Sequence, residues 1–348
     1  MSKQKFATVI FLSSIDRKEI ILFNVLGIGN AIVDILALVD DNFLEEHNLH
    51  KSNMQLTSTE KQNKILFDLK NLTEASGGSV ANTIATLAGL SSNAAFIGQV
   101  SDDKWGKFFE QDMNEMGVTT DLNVITSHGK SASGTSIILI TPDGERTMNT
   151  NLGVSSQIDI ACVNVDLIAK SKIVYIEGYL YDSPETMEAI ELIVSIAKAN
   201  GSKIALSLSD SFCVDRHRED FKKLFKNIDI LFANEAEFCS LFEIENQALS
   251  GDTILQYAEK LPALVAITQS ERGCSILDDG NIISVATQAI AYPQDLTGAG
   301  DQFAAGFLHV VSGEGTSKEA GEFGIKLASS IISKIGPRFT QEELNNLS

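Results

Sequence analysis

From about Lys172 onward, short apolar runs alternate with longer stretches whose apolar residues recur every three or four positions. The runs Ile173–Ile176, Ile204–Leu208, Ile228–Ala233 and Leu264–Thr268 predict buried strands. Between the first two, Ser183–Ala199 predicts a helix, with Ser183 as N-cap, Pro184 at the first helical position and Gly201 past the end. Apolar strands separated by helices predict an α/β fold around a mainly parallel sheet with right-handed crossovers. In such a sheet ligands collect beyond the carboxyl ends of the strands. The first half is less regular. Val25–Asn30 predicts a buried strand that ends in a polar residue, and Ile32–Val39 continues as a β-branched run broken by Asp34. Thr57–Leu72 predicts a helix, Ala94–Val100 a strand, and Asp103–Met116 a helix closed by Gly117. Ser136–Ile140 and Arg146–Thr150 flank Pro142-Asp143-Gly144, the chemistry of a hairpin turn. A second hairpin turns at Asp278-Asp279-Gly280-Asn281, and Ser317–Lys334 is expected to close the chain as an amphipathic helix.

The 348 residues, 44% hydrophobic and 21% charged, suffice for one large globular domain. A net charge of −19 argues against nucleic acid and anionic membranes as partners, yet leaves a nucleotide admissible, because local amides and a metal ion meet phosphate. Cys162, Cys213, Cys239 and Cys274 are widely spaced, so neither a disulfide framework nor a zinc site is expected. No stretch reaches the roughly 20 apolar residues of a membrane span. Residues 1–24 read as an N-terminal extension. Its run Phe6–Leu12 is short for an export signal and has no small-residue cleavage site after it, so a cytoplasmic location is expected.

The strongest candidate chemistry lies at Asp295-Leu296-Thr297-Gly298-Ala299-Gly300-Asp301, followed by a segment with Phe303, Phe307 and Val311 at helical spacing. A glycine-rich loop entering a helix presents unpaired amides at the positive end of the macrodipole, which suits an anion. Asp301 then falls in the first turn. An acid beside an anion hole is what phosphoryl transfer to an alcohol requires, the acid taking the hydroxyl proton and the amides of Gly298, Ala299 and Gly300 the developing charge. A helix-start acid is expected to be a weak base, which a loose transition state tolerates. Upstream, Gly77-Gly78-Ser79-Val80-Ala81-Asn82 opens a second apolar-periodic segment, Ile84–Leu90.

Together and in this order, the G-G-x-x-x-N and D-x-T-G-A-G-D patterns resemble the two signatures of the ribokinase (PfkB) family of carbohydrate and nucleoside kinases. The resemblance runs from about Val25 to about Gly336. It implies a three-layer α/β sandwich at 25–348, with a small β-sheet lid built from about 33–56 and 130–150. Asn30 and Asp34 resemble the first-strand G-N-x-x-x-D pattern of the adenosine-kinase-like branch, in which the acid grips the sugar's vicinal hydroxyls. Gly77 and Gly78 would let the sugar touch the backbone, Asn82 would hydrogen-bond it, and Arg146 on the lid would approach the moving phosphoryl. Asn234-Glu235-Ala236-Glu237 is similar to the family's N-x-x-E motif, which places Asn234 near the nucleotide phosphates and Glu237 on Mg²⁺ through water. Thr268-Gln269-Ser270-Glu271-Arg272-Gly273 resembles T-x-G-x-x-G beside ATP, with Thr268 and Gly273 as nucleotide contacts. Asp295 and Thr297 lie where many relatives bind a monovalent cation, K⁺ being the candidate. Two departures stand out. Ser270 replaces a glycine, which a negative φ would accommodate, and Leu296 replaces a threonine, with its side chain expected to point away.

The resemblance implies ATP-dependent phosphorylation of a nucleoside's primary hydroxyl, adenosine to AMP first, with ribose or another small sugar second, by a monomer or homodimer. A non-catalytic binding relative stays open because of Ser270 and Leu296. A serine hydrolase is disfavoured: Gly77–Ala81 falls one residue short of G-x-S-x-G, with no clear strand before it and no evident histidine partner. Gly129-Lys130-Ser131 is no P-loop, because position 124 is Val.

Overall fold

The computed structural model describes residues 21–126, 131–245, 248–287, 290 and 292–347. The extension up to residue 20, and Gly129 and Lys130 at the start of the second lid segment, lie outside the described residues. In chain order the strands are β1 (Phe23–Ile28), β2 (Ile32–Leu38), β3 (Met54–Leu56), β4 (Thr73–Gly77), β5 (Ala94–Ser101), β6 (Thr119–Ile125), β7 (Gly134–Ile140), β8 (Arg146–Asn151), β9 (Ser171–Glu177), β10 (Lys203–Ser207), β11 (Ile230–Asn234), β12 (Leu264–Thr268), β13 (Cys274–Asp278) and β14 (Asn281–Val285). The helices are α1 (Asp41–Glu46), α2 (Thr59–Asp68), α3 (Ser79–Gly89), α4 (Lys104–Glu115), α5 (Val165–Ala169), α6 (Pro184–Ala199), α7 (Ser211–Leu224), α8 (Glu235–Phe242), α9 (Gly251–Leu255), α10 (Ala299–Ser312), α11 (Ser317–Ile331) and α12 (Gln341–Leu347).

Nine strands form one sheet in the order β14-β13-β12-β11-β10-β9-β1-β5-β6. It is parallel from β12 to β6 and antiparallel only where β13 and β14 extend its edge. Side chains alternate across it. Val25, Ile173 and Tyr175 pack on one face with α3, α4 and α10, while Leu26, Ile28, Val174 and Ile176 pack on the other with α6, α7 and α8. Both faces are covered, which is why these strands read as continuous apolar runs. The Ser183 cap is as the sequence predicts, its side chain accepting from Thr186 N, while Asp103, expected inside its helix, instead caps α4 by accepting from the Trp105 and Gly106 amides. Among the described residues no helix is long and apolar enough to cross a membrane.

Five strands, β3-β8-β7-β2-β4, form the small sheet. Its hairpin, β7 with β8, is as expected, but β4 is not: it pairs antiparallel with β2, in the register Ile32 with Gly77. Thr73-Glu74-Ala75-Ser76-Gly77 has no apolar run to betray a strand, because it sits at a sheet edge where pairing with β2, not burial of large side chains, holds it. The helix expected over Thr57–Leu72 is correspondingly shorter, starting after an N-cap at Ser58. The sheet begins at Phe23, inside the expected extension, and α12 follows the helix expected to close the chain.

Candidate active site

A cavity of about 870 Å³ opens beyond the carboxyl ends of β9 to β12, between the large sheet, the small sheet and the N-terminus of α10. The Gly298 backbone turns left-handed (φ +79°), and a Cβ there would fall 2.6 Å from Pro337. No side chain among the described residues caps α10. Among the described residues the Gly298 and Gly300 amides have no hydrogen-bond partner, but Ala299 N donates to Leu296 O at 3.3 Å. Of the three amides expected to receive an anion, two are thus unclaimed among the described residues.

Asp301 lies in the first turn of α10 and lines the cavity with Asp34. Its Oδ1 accepts from Ser79 Oγ at 2.7 Å and its Oδ2 from Asn82 Nδ2 at 2.9 Å. Burial pushes this carboxyl up to about 6, against hydrogen bonds from Asn82 and Ser79 and the Arg338 charge, which pull it down. Burial therefore outweighs the helix start, and Asp301 is a better base than its place in the first turn alone implies. Burial likewise raises Asp34 to about 7, with Arg338 opposing and Asp301 reinforcing the shift.

The space a Cβ would take at each of the two glycines is filled by protein. A Cβ at Gly77 would collide with the Asp34 carboxylate, and one at Gly78, whose φ is +99°, with the Asn30 carbonyl. Gly78, Ser79 and Asn82 line the cavity; Gly77 and Asn30 do not. Asn30 instead binds Glu177, through its backbone N at 2.9 Å and Nδ2 at 2.7 Å, and Val80 N donates to the same carboxylate at 3.1 Å. Glu177, at the end of β9, thus ties the first strand to the start of α3. Sequence reasoning missed it, since a buried acid ending a strand has no local signature.

Arg146, expected to approach the moving phosphoryl, pairs with an acid of the Gly298 loop. Its Nη1 pairs with Asp295 Oδ2 at 2.6 Å, and both side chains are buried. Asp295 also accepts from Thr297 N at 3.0 Å and from Gly336 N at 2.8 Å. A carboxylate already faced by a guanidinium and two amides does not fit a monovalent cation, so the K⁺ expectation for Asp295 and Thr297 is not supported by this donor set.

On the opposite wall, Asn234 and Glu237 close the start of α8 as a capping box: Asn234 Oδ1 accepts from Glu237 N at 2.8 Å, and Glu237 accepts from Asn234 N at 2.9 Å and Nδ2 at 2.6 Å. Both still line the cavity. Burial lifts Glu237 to about 7. A buried carboxyl with no facing cation among the described residues fits a hydrated Mg²⁺ on its cavity side. Among the described residues no three His, Cys, Asp or Glu cluster to ligate a metal directly, and a water-mediated contact needs no such cluster. Thr268, Ser270 and Gly273 line the same wall. Ser270 keeps the left-handed conformation, with φ +51°, instead of the negative φ expected of a non-glycine. Leu296 is 68% exposed at the cavity rim, away from the core. Ser79 follows a strand after all, but its hydroxyl donates to Asp301 and among the described residues no histidine lines the cavity, so the hydrolase reading finds no base there.

A model of the pfkB family of carbohydrate kinases matches residues 50–344. The chain belongs to this family. Among solved structures, this pfkB kinase is 36% identical to the adenosine kinase from Sinorhizobium meliloti, with a TM-score of 0.82 over 94% of this chain and 100% of that one. For a probable sugar kinase from Rhizobium etli CFN 42 the identity is 35%, the TM-score 0.82 and the coverage 94% and 100%. Adenosine kinase 2 from Arabidopsis thaliana is 24% identical over 345 residues, 91% of this chain and 96% of that protein. As a pfkB kinase with the ribokinase-like fold, the chain is an ATP-dependent phosphotransferase.

Proposed function

We propose that this kinase phosphorylates the primary hydroxyl of a nucleoside, adenosine first. The observation that carries the reading is the Asp301 carboxylate, held by Ser79 and Asn82 beside the open N-terminus of α10 and facing one cavity with Asp34. Asp301 accepts the hydroxyl proton, a role typically worth roughly 10²–10⁴-fold. With its carboxyl at about 6, it is mostly ionised at neutral pH yet basic enough to take a proton late in the transfer. The Gly298 and Gly300 amides and the α10 dipole receive the charge on the moving phosphoryl. Asp34 accepts hydrogen bonds from the sugar's diol, and Asn82 spans acid and sugar. Ile138 and Met148 from the lid give the acceptor side an apolar wall suited to a base. Asn234, Thr268 and Gly273 meet the nucleotide, whose own base lies against Ile325, Ala328 and Ile332. Glu237 would hold a hydrated Mg²⁺, which when bound neutralises phosphate charge.

The sugar-kinase reading stands second, supported by the Rhizobium etli neighbour. Parallel assays with adenosine, ribose and fructose, with ATP and Mg²⁺, separate the two. ADP formation with adenosine, lost in Asp301→Asn, is the expected result. Turnover of ribose with none of any nucleoside overturns the first reading.

A further inference from the structure

Between α11 and α12 the chain runs Gly336-Pro337-Arg338, and this short strap touches the site from three sides. Gly336 N donates to Asp295 Oδ2 at 2.8 Å, Pro337 O accepts from Gln302 Nε2 at 2.7 Å, and Pro337 fills the space where Gly298 lacks a Cβ. The Arg338 side chain, 11% exposed, runs inward. Its Nη1 donates to Ser76 Oγ at 2.5 Å and lies 3.7 Å from Asp112 Oδ2, while Nε donates to Asn82 Oδ1 at 2.9 Å. The last bond settles which way the Asn82 amide points. With Oδ1 facing a guanidinium that only donates, Nδ2 faces Asp301; turned over, the amide would set N–H against N–H and carbonyl against carboxylate.

We propose that Arg338 is a positioning residue for phosphoryl transfer, holding the Asn82 amide in the one orientation that donates to Asp301 and so aiming that carboxylate into the cavity. The inference rests on the reading of Asp301 as proton acceptor. Arg338 also acts through its charge. Asp301 is faced by Asp34 from β2, Glu177 and Tyr175 from β9, Tyr179 just beyond β9, and Arg338. Arg338 is the cation in this set that holds Asp301 down.

The test compares wild type with Arg338→Gln, Arg338→Lys, Asn82→Ala and the double variant Asn82→Ala/Arg338→Gln, with kcat, KM for ATP, the pH profile and thermal melting measured for each. Arg338→Gln should lower kcat roughly 10–100-fold with KM for ATP little changed. Its acid limb, near pH 6 in wild type, should move to higher pH because the opposing cation is gone. Arg338→Lys keeps the charge and so the limb, but loses the planar donor to Asn82 and thus kcat. Adding Arg338→Gln to Asn82→Ala should cost much less than it costs alone. If Arg338→Gln does not fold, the lysine variant decides: reduced kcat on an unmoved limb supports the inference, and wild-type kcat overturns it. An active wild type whose variants keep kcat and limb, or whose losses simply add, overturns the inference alone. A wild type inactive on every acceptor overturns the proposed function and this inference with it.

Discussion

Two helices begin at the same cavity, and they begin differently. At α8, Asn234 and Glu237 satisfy each other's backbone amides, so the end is chemically closed. At α10, Gly298 offers no side chain, and the Gly298 and Gly300 amides stay open toward the cavity. Both starts carry an acid in the first turn, and both acids are raised by burial, Glu237 to about 7 and Asp301 to about 6. The difference lies in what the acid is bound to. Glu237 folds back on its own helix, while Asp301 is held from outside by α3. In the proposed function it is the helix start with unclaimed donors, and an acid aimed by another element, that carries the reaction.

The sharpest way to break this contrast is to neutralise each acid. Asp301→Asn should lower kcat by roughly 10²–10⁴-fold while ATP still binds. Glu237→Gln should leave the proton step intact and act through the metal requirement, read as a raised Mg²⁺ concentration for half-maximal rate. Equal kcat losses on neutralising the two would erase the distinction. Next comes the loop itself. Gly298→Ala forces a Cβ onto Pro337 at a positive φ, and should cost about 1–3 kcal/mol of stability together with roughly 10²-fold in kcat. Asn234→Ala removes a cap worth about 1 kcal/mol in denaturant unfolding. A larger stability loss at Asn234 than at Gly298 would reverse the order expected here.

Acidity offers a subtler test. Asp34, Glu177 and Glu237 sit at about 7 and Asp301 at about 6 in the folded chain, above their unfolded values, so the folded state binds more protons between those limits. Stability of the ligand-free protein should therefore rise as pH falls from about 8 toward 5, seen as a higher Tm, and relief of self-repulsion at net charge −19 acts in the same direction. A Tm that falls over this range contradicts the buried-acid picture. The smallest expected effect is none: exchanging Na⁺ for K⁺ should leave kcat unchanged, because Arg146 and two amides already surround Asp295.

Much of the fold was legible. The runs at Ile173, Ile204 and Leu264 became β9, β10 and β12 because burial on both faces leaves a continuous apolar signature. The strand β4 was not, since its pairing with β2 is non-local and its residues are small or polar. At the site, Asp301, Gly298 and Asn82 announced themselves through spacing along the chain. Arg338 did not: its partners Ser76, Asn82 and Asp112 are more than two hundred residues away in sequence.

The order of residues alone thus set which helix starts are rich in glycine, where an acid follows, and how strands alternate with helices, because each depends on neighbours within a turn or a strand's length. Folding in three dimensions decided which donors remain unclaimed, that Arg146 pairs with Asp295, and that buried carboxyls rise toward neutrality. Those outcomes depend on desolvation and on charges brought together from distant segments, and no local pattern encodes either.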